Sequence, residues 1–275
     1  MKKTIITITS LVACAFASFA ADATCTNNSC ANQPAKQINT LADEVVCANL
    51  LERFSASVTV GYESEYVFRG LTYGGAAINP EVDMAYDIGA GFGVYTGVWG
   101  NMPVNSDNVE NEMDVYAGIT YNTNNFTFDL GYIGYLYSKD TENSHEIKFA
   151  VTYDTVDFLG DFNVSPTAAF FYDFTLGVYT TEFGATYSAP VTKWIADRNW
   201  GTIDFAAVYG WCTEANDNGY TYFALSVDAV VRVNEYCSLS AGVRYAYAHN
   251  RPEWYKQYRS ADDTVWFGTS MTIGF

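Results

Sequence analysis

Past residue 20 the chain contains no apolar run approaching the about 20 residues that a membrane-crossing helix requires, so that part of the sequence holds no membrane helix. Basic side chains are scarce: 14 Lys and Arg stand against 31 Asp and Glu, a net charge of −17. Nucleic acid and anionic lipid headgroups are thereby excluded as partners. Histidine is scarcer still, with only His145 and His249. Neighbouring residues on a strand point to opposite faces, so neither Ser144 beside His145 nor Asn250 beside His249 forms a catalytic dyad. No carboxylate pair or nucleophile motif stands out. Both histidines read as solvated rim residues, and the expectation is no enzyme and no cofactor.

Cysteine is limited to six residues, of which Cys14 lies in the first twenty. Five remain, an odd number, so at least one is unpaired or bridges chains. Cys25, Cys30 and Cys47 could pair with one another in an oxidising compartment. Their spacing offers no His partner and no repeated C-x-x-C, which argues against a metal site. Charged residues make up only 16% of the chain and aromatic residues 17%, with 22 Tyr and 18 Phe. A soluble protein this acidic would be richer in charge and poorer in rings.

The first twenty residues carry Lys2 and Lys3, an apolar stretch without acids, and small residues at Ser18 and Ala20. This is the pattern of a secretory signal peptide cleaved after Ala20. A lipid-attachment reading at Leu11-Val12-Ala13-Cys14 competes with it, but the chain stays apolar after Cys14 where a lipoprotein would turn polar. Residues 21–54 form a polar extension. Within it, 40–53 fits a short helix capped by Thr40, with Leu41, Val45, Ala48 and Leu51 on one face; it reads as a lumen plug, a periplasmic docking helix, or a marginal helix in a linker.

From residue 55 onward one pattern repeats: about ten residues of period-two alternation, then Gly, Asn, Asp or Pro. Val58, Val60, Tyr62, Tyr66 and Phe68 alternate with Ser57, Thr59, Glu63, Glu65 and Arg69. Strands are expected at 56–69, 78–88, 91–101, 112–122, 125–138, 145–154, 161–174, 176–187, 202–212, 220–233, 237–249 and 264–275. Connections are short on one side and mostly longer and polar on the other, with exceptions at 188–201 and near 175. Aromatic residues cluster at strand ends: Tyr121, Phe126, Tyr153, Phe162, Tyr187 and Phe275 on the turn side, Tyr66, Phe68, Tyr172, Phe174 and Tyr247 on the loop side. Two such bands fit two membrane interfaces, which a secreted sandwich would not need. The expected fold is all-β, a transmembrane antiparallel up-and-down barrel of about twelve strands in the bacterial outer membrane. The ending WFGTSMTIGF would close that barrel against the first strand, its apolar face covered by lipid.

Twelve strands about 4.8 Å apart, tilted about 40°, give a backbone diameter of roughly 24 Å and a bore of roughly 10 Å once side chains are added. The charged residues expected to line it are Glu63, Glu65, Arg69, Glu81, Asp83, Asp87, Glu112, Asp114, Asp129, Glu146, Lys148, Asp228, Arg232 and Arg244. The acids near strand tops, Glu63, Glu65, Glu81, Asp83, Glu112, Asp114 and Glu146, converge on the loop-side mouth and predict a cation-preferring channel for small polar solutes. The alternative is a narrow or plugged barrel serving as a structural or adhesive protein without transport and, behind it, an outer-membrane hydrolase. Cys212 and Cys237 fall at opposite rims and cannot bridge. The loop 250–262, with Trp254, Tyr255, Tyr258, Arg251, Lys256 and Arg259, reads as an interfacial anchor, a ligand contact, or a constriction.

Residues 55–101 resemble the opening of the TorF family of porins, also called the Gcw_chp family. The resemblance rests on Ser64-Glu65-Tyr66-Val67-Phe68-Arg69-Gly70, on Pro80 and Asp83, and on Gly91-Phe92-Gly93-Val94-Tyr95 leading to Trp99-Gly100-Asn101. It continues through Glu112–Gly118, Asp129–Tyr132 and His145–Tyr153, to about residue 155; the cysteine-containing extension departs from it. The resemblance implies a channel-forming outer-membrane protein without enzyme activity or cofactor. The terminal Phe275 resembles the signal by which the barrel assembly machinery recognises its substrates. Outer-membrane lipid, that machinery, and small polar solutes or cations are the implied partners.

Overall fold

In the computed structural model, residues 52–104, 110–139, 141–154, 164–191, 200–213, 219–256 and 261–275 are described. The signal segment, the helix expected at 40–53, Cys25, Cys30, Cys47, Phe162, Tyr258 and Arg259 lie wholly or mainly outside these residues.

The alternation closes into a barrel because strands with one apolar and one polar face need lipid on one side and water or protein on the other. Twelve antiparallel strands form the wall: β1 (Phe54–Glu63), β4 (Ala77–Gly89), β5 (Phe92–Pro103), β6 (Glu112–Thr123), β7 (Phe126–Tyr137), β8 (Ser144–Tyr153), β9 (Val164–Asp173), β10 (Val178–Pro190), β11 (Gly201–Cys212), β12 (Tyr220–Arg232), β13 (Cys237–His249) and β14 (Asp263–Gly274). No helix of the described residues is long and apolar enough to cross a membrane. Outward Val58, Val60, Val82, Met84, Phe149 and Phe267 are exposed, as lipid-facing residues are.

The seam answers why the sequence ends on an apolar strand. β14 pairs with β1 from Ser57↔Gly274 to Glu63↔Gly268, and the Phe275 amide donates to the Ala56 carbonyl at 2.9 Å. The terminal edge is therefore paired, and Phe275 projects outward, 74% exposed. Cys212 closes β11 on the loop side and Cys237 opens β13 on the turn side, and no disulfide joins them. The loop-side connection 174–177 is short, and the longer 191–200 lies on the turn side, as the strand directions require. In the turn-side aromatic band, Phe92 packs on Tyr121 and Phe126 on Tyr153.

The expected first strand is corrected. It ends at Glu63 instead of continuing to 69, and the chain then makes a separate hairpin, β2 (Tyr66–Phe68) and β3 (Leu71–Gly74), whose two strands pair only with each other. Its tip is the two-residue turn Arg69-Gly70, with φ of 46° and 79°. Left-handed φ at both central residues is what a two-residue hairpin turn matching strand twist demands.

Candidate functional site: a hairpin seated in the barrel lumen

The hairpin lies inside the barrel. Val67 packs with Ala224, Ala246 and Trp266 of β12, β13 and β14. Leu71, fully buried, packs with Val208, Cys212, Tyr222 and Ala248. On the opposite wall the Tyr66 hydroxyl donates to Glu112 of β6 at 2.5 Å, and its ring lies 6.0 Å from that of Trp99 of β5. One nine-residue segment thus touches both halves of the wall. Tyr66 and Phe68, expected to face lipid, face the lumen instead; a lumen filled by protein shelters aromatic rings as lipid does.

Arg69 crosses to β8. Its guanidinium donates to both carboxylate oxygens of Glu146, at 2.8 and 2.9 Å, between the Phe68 and Phe171 rings at 4.8 and 4.9 Å from their centroids. Tyr135 of β7 donates its hydroxyl to the same carboxylate at 3.0 Å. Arg69 is 8% exposed and Glu146 1%. In so dry a setting the charge-assisted pair is strong and the loss of either partner is costly.

The expected lining residues divide into several groups. Glu81, Asp83, Glu112, Asp114, Asp129, Glu146, Lys148, Asp228 and Arg244 all stand at inward positions of the wall. Glu81 and Asp83 of β4 both accept a hydrogen bond from the Tyr116 hydroxyl, and Glu112 accepts from Tyr66 and Tyr137. Lys148 pairs with Asp129 at 2.6 Å, which also accepts from Tyr95 at 2.8 Å. Across the lumen, Arg244 bridges Glu63 at 3.2 Å and Asp228 at 3.0 Å. Arg232 sits at the turn-side end of β12. Three expectations are corrected. Arg69 is not on the wall but at the hairpin tip. Glu65 lies in the link between β1 and the hairpin, outside the wall. Asp87 is exposed at the turn end of β4, where its carboxylate accepts from the Gly89 amide at 2.8 Å, the side-chain turn bond typical of aspartate.

Whether the lumen is open or plugged is not decided by the alternation; burial bears on it among the described residues. Around β5 to β9, Trp99, Asp114, Tyr135, Glu146 and Phe171 are buried; around β10 to β14, so are Glu182, Val208, Tyr222, Ala246 and Trp266. Inward side chains of an unfilled twelve-stranded bore would be wet. Here the hairpin occupies it, and Glu81, Asp83, Glu112 and Glu146 meet tyrosine hydroxyls or Arg69. Tyr255 of the loop after β13 covers the hairpin: its hydroxyl accepts from the Thr72 amide at 2.9 Å, while Arg251 lies 5.4 Å from its ring centroid and pairs with Asp262. That loop is therefore a cap on the lumen as far as its described residues show. Below the hairpin, hydroxyls dominate: Thr59–Thr272, Thr152–Thr167 and Ser240–Ser270 meet at 2.7–2.9 Å.

The histidines stand apart from this network. His145 lies on the outer face between the Tyr132 and Phe174 rings, its Nδ1 2.8 Å from the Tyr132 hydroxyl; His249 ends β13, exposed. Among the described residues no group of three His, Cys, Asp or Glu is placed to hold a metal ion.

A closed, lipid-faced twelve-stranded barrel with a charged lumen and an inserted hairpin is an outer-membrane β-barrel. The chain belongs to the Gcw_chp family, bacterial proteins of unknown function, which it matches over residues 51–266; the match extends well beyond the first six strands on which the sequence resemblance rests. No curated protein matches it. Among solved structures it is similar to an outer membrane channel from Pseudomonas putida F1, with a TM-score of 0.53 at 10% identity over 81% of this chain and 95% of that one. The KdgM porin (TM-score 0.47, 13% identity, 80% and 99% covered) and LpxR from Salmonella typhimurium (0.49, 9%, 80% and 99%) are also similar. At 10% identity the likeness to the Pseudomonas channel shows the fold alone.

Proposed function

We propose that the protein is an outer-membrane channel for small polar solutes, cation-preferring, held shut by hairpin β2–β3. The carrying observation is that a separate segment fills the lumen, tied through one buried ion pair and tyrosine hydrogen bonds, above a bore lined with hydroxyls. The wall adds its own buried rings, Tyr95, Trp99, Tyr116, Tyr135 and Phe171, and the hairpin packs among them. In this reading the first twenty residues direct export and are removed after Ala20, 21–54 remain periplasmic, and lipid, the assembly machinery and the permeating solutes are the partners. A second reading, a permanently plugged barrel acting as a structural protein, is favoured by the burial around most of the lumen.

Planar bilayers separate the two. The intact chain should show small or rare conductance steps, whereas a variant with residues 65–76 replaced by a short Gly-Ser linker should show steps at least about tenfold larger, in line with a bore of roughly 10 Å. Under a KCl gradient its reversal potential should indicate cation preference, weakened when Glu81, Asp83, Glu112 and Asp114 become amides, because a bore about 5 Å in radius is narrower than the Debye length of about 8 Å. A folded, hairpin-free barrel that stays silent would leave the structural reading standing. Anion preference would end the selectivity claim.

Phe275 carries the assembly part of the reading. Its backbone ties the seam while its side chain packs little and stays exposed, so a recognition role accounts for the ring. Deleting Phe275 should lower the folded, heat-modifiable fraction in outer membranes without changing synthesis; an unchanged fraction removes this account.

A further inference from the structure

We propose that the seat occupied by Arg69 is a binding site for guanidinium compounds, and that Arg69 is a tethered stand-in which such a solute displaces. The proposal rests on the channel reading for its biological direction, but the seat itself is read from the wall. Glu146, Tyr135 and Phe171 come from three successive strands whose register is fixed without the hairpin: Ile133↔Glu146 joins β7 to β8, and Lys148↔Phe171 joins β8 to β9. Together they offer a planar two-oxygen acceptor oriented by a phenol, with an aromatic face beside it. That combination suits a flat fork of N–H donors better than a compact, strongly hydrated ion such as sodium.

The wall also holds more acceptors than Arg69 uses. Asp114, in register with Tyr135, is 0% exposed, and no donor reaches either of its carboxylate oxygens. One oxygen of the buried Glu182 is likewise without a donor, and so is Arg69 Nε as a donor without acceptor. The described cation on this side of the wall, Lys148, is bound to Asp129. On the far side the wall supplies Arg244 to its own acids. Between β6 and β10, with Lys148 engaged by Asp129, the cation that meets Glu146 comes from the hairpin. When the hairpin withdraws, these carboxylates are left without it, and a guanidinium solute restores the pair. A ligand that binds only the withdrawn state shifts the population toward it, so the permeating solute would open its own path.

The test is calorimetric titration of ethylguanidinium chloride into the full barrel in detergent micelles, with tetramethylammonium chloride as reference. The intact chain should bind weakly, because a short tether presents its own guanidinium at an effective concentration near millimolar. Arg69→Ala should bind ethylguanidinium at least about tenfold more tightly, and Arg69→Ala with Glu146→Gln should lose that gain. Arg69→Gln, which keeps the stem in place, serves if the alanine variant folds poorly by heat-modifiability. Equal affinity in intact and Arg69 variants, insensitivity to Glu146→Gln, or equal binding of tetramethylammonium overturns the proposal. Calorimetry does not require conduction: failure here leaves the channel reading intact, and silent bilayers with the hairpin removed leave the seat intact.

Discussion

In Glu146→Ala, trypsin added to the folded barrel should cut between Arg69 and Gly70, a bond that the unaltered protein protects. Arg69 is buried, and its Nη2 makes two short bonds to one carboxylate. Removing that carboxylate leaves a buried charge without its partner, a change that costs about 3–5 kcal/mol. Against it stand the contacts that remain: Val67 and Leu71, each contributing about 1.5–3 kcal/mol on full burial, and the Tyr66–Glu112 and Thr72–Tyr255 hydrogen bonds, about 0.5–3 kcal/mol each. Together these span about 4–12 kcal/mol, from which the cost of ordering the hairpin backbone, about 1–2 kcal/mol per residue, is subtracted, so the loss is comparable with the net that remains. The hairpin should therefore pass from firmly seated to substantially withdrawn, with cleavage faster by roughly two to three powers of ten at 1.4 kcal/mol per decade. The barrel should persist, because its strand ladders do not run through the hairpin. Removing both partners, Arg69→Ala with Glu146→Ala, should give a smaller conductance than Glu146→Ala alone, since the apolar contacts then seat a hairpin that carries no orphaned charge. Protection at Arg69-Gly70 in a folded Glu146→Ala barrel would mean that the ion pair does not hold the hairpin.

The wall was legible because lipid imposes a period of two on every strand. The expected strand at 112–122 is Glu112–Thr123, that at 220–233 is Tyr220–Arg232, and both were placed by alternation alone. Inward placement of Glu81, Asp114, Glu146, Lys148 and Arg244 followed from the same parity. The hairpin was not legible by this means. Tyr66 and Phe68 continue the even-position apolar pattern of Val58, Val60 and Tyr62, so the period runs straight through the break after Glu63. Period reports only that alternate side chains avoid water; it does not say whether lipid or a filled lumen shelters them. The local signal for a turn is present in Arg69-Gly70, between alternating residues on either side, and it fits the end of a wall strand as well as the tip of a hairpin. Arg69 and Glu146 are 77 residues apart, and no spacing rule within one strand links them. Period likewise says nothing of what the inward Tyr135, Tyr116 and Tyr222 do: their hydroxyls donate to Glu146, Asp83 and Glu182.

Gly70→Ala should release the hairpin about as fully as the loss of Glu146, and the reason is geometric. Gly70 has φ of 79°, a conformation that costs an L-residue roughly 1–2 kcal/mol. A Cβ there would also lie 2.4 Å from Cβ of Tyr222 and 3.5 Å from Cβ of Ala248. Cβ of Tyr222 is fixed to the β12 backbone, so it cannot swing aside as a flexible side-chain end would; either the wall or the hairpin has to shift. The wall is held by ladders on both sides of β12, whereas the hairpin is held by side chains. The hairpin should give way, moving Arg69 off Glu146 and Leu71 out of its cluster. Gly75→Ala is the control, because nothing lies within 4 Å of a Cβ at that position and it follows the hairpin directly. Expected results are conductance steps in Gly70→Ala approaching those of the hairpin-free barrel and tryptic cleavage after Arg69, with Gly75→Ala indistinguishable from the unaltered chain. If Gly70→Ala folds and stays closed, the tip is not wedged against β12. If both glycine variants open equally, the effect belongs to loop entropy and not to the fit of the Arg69-Gly70 turn against Tyr222.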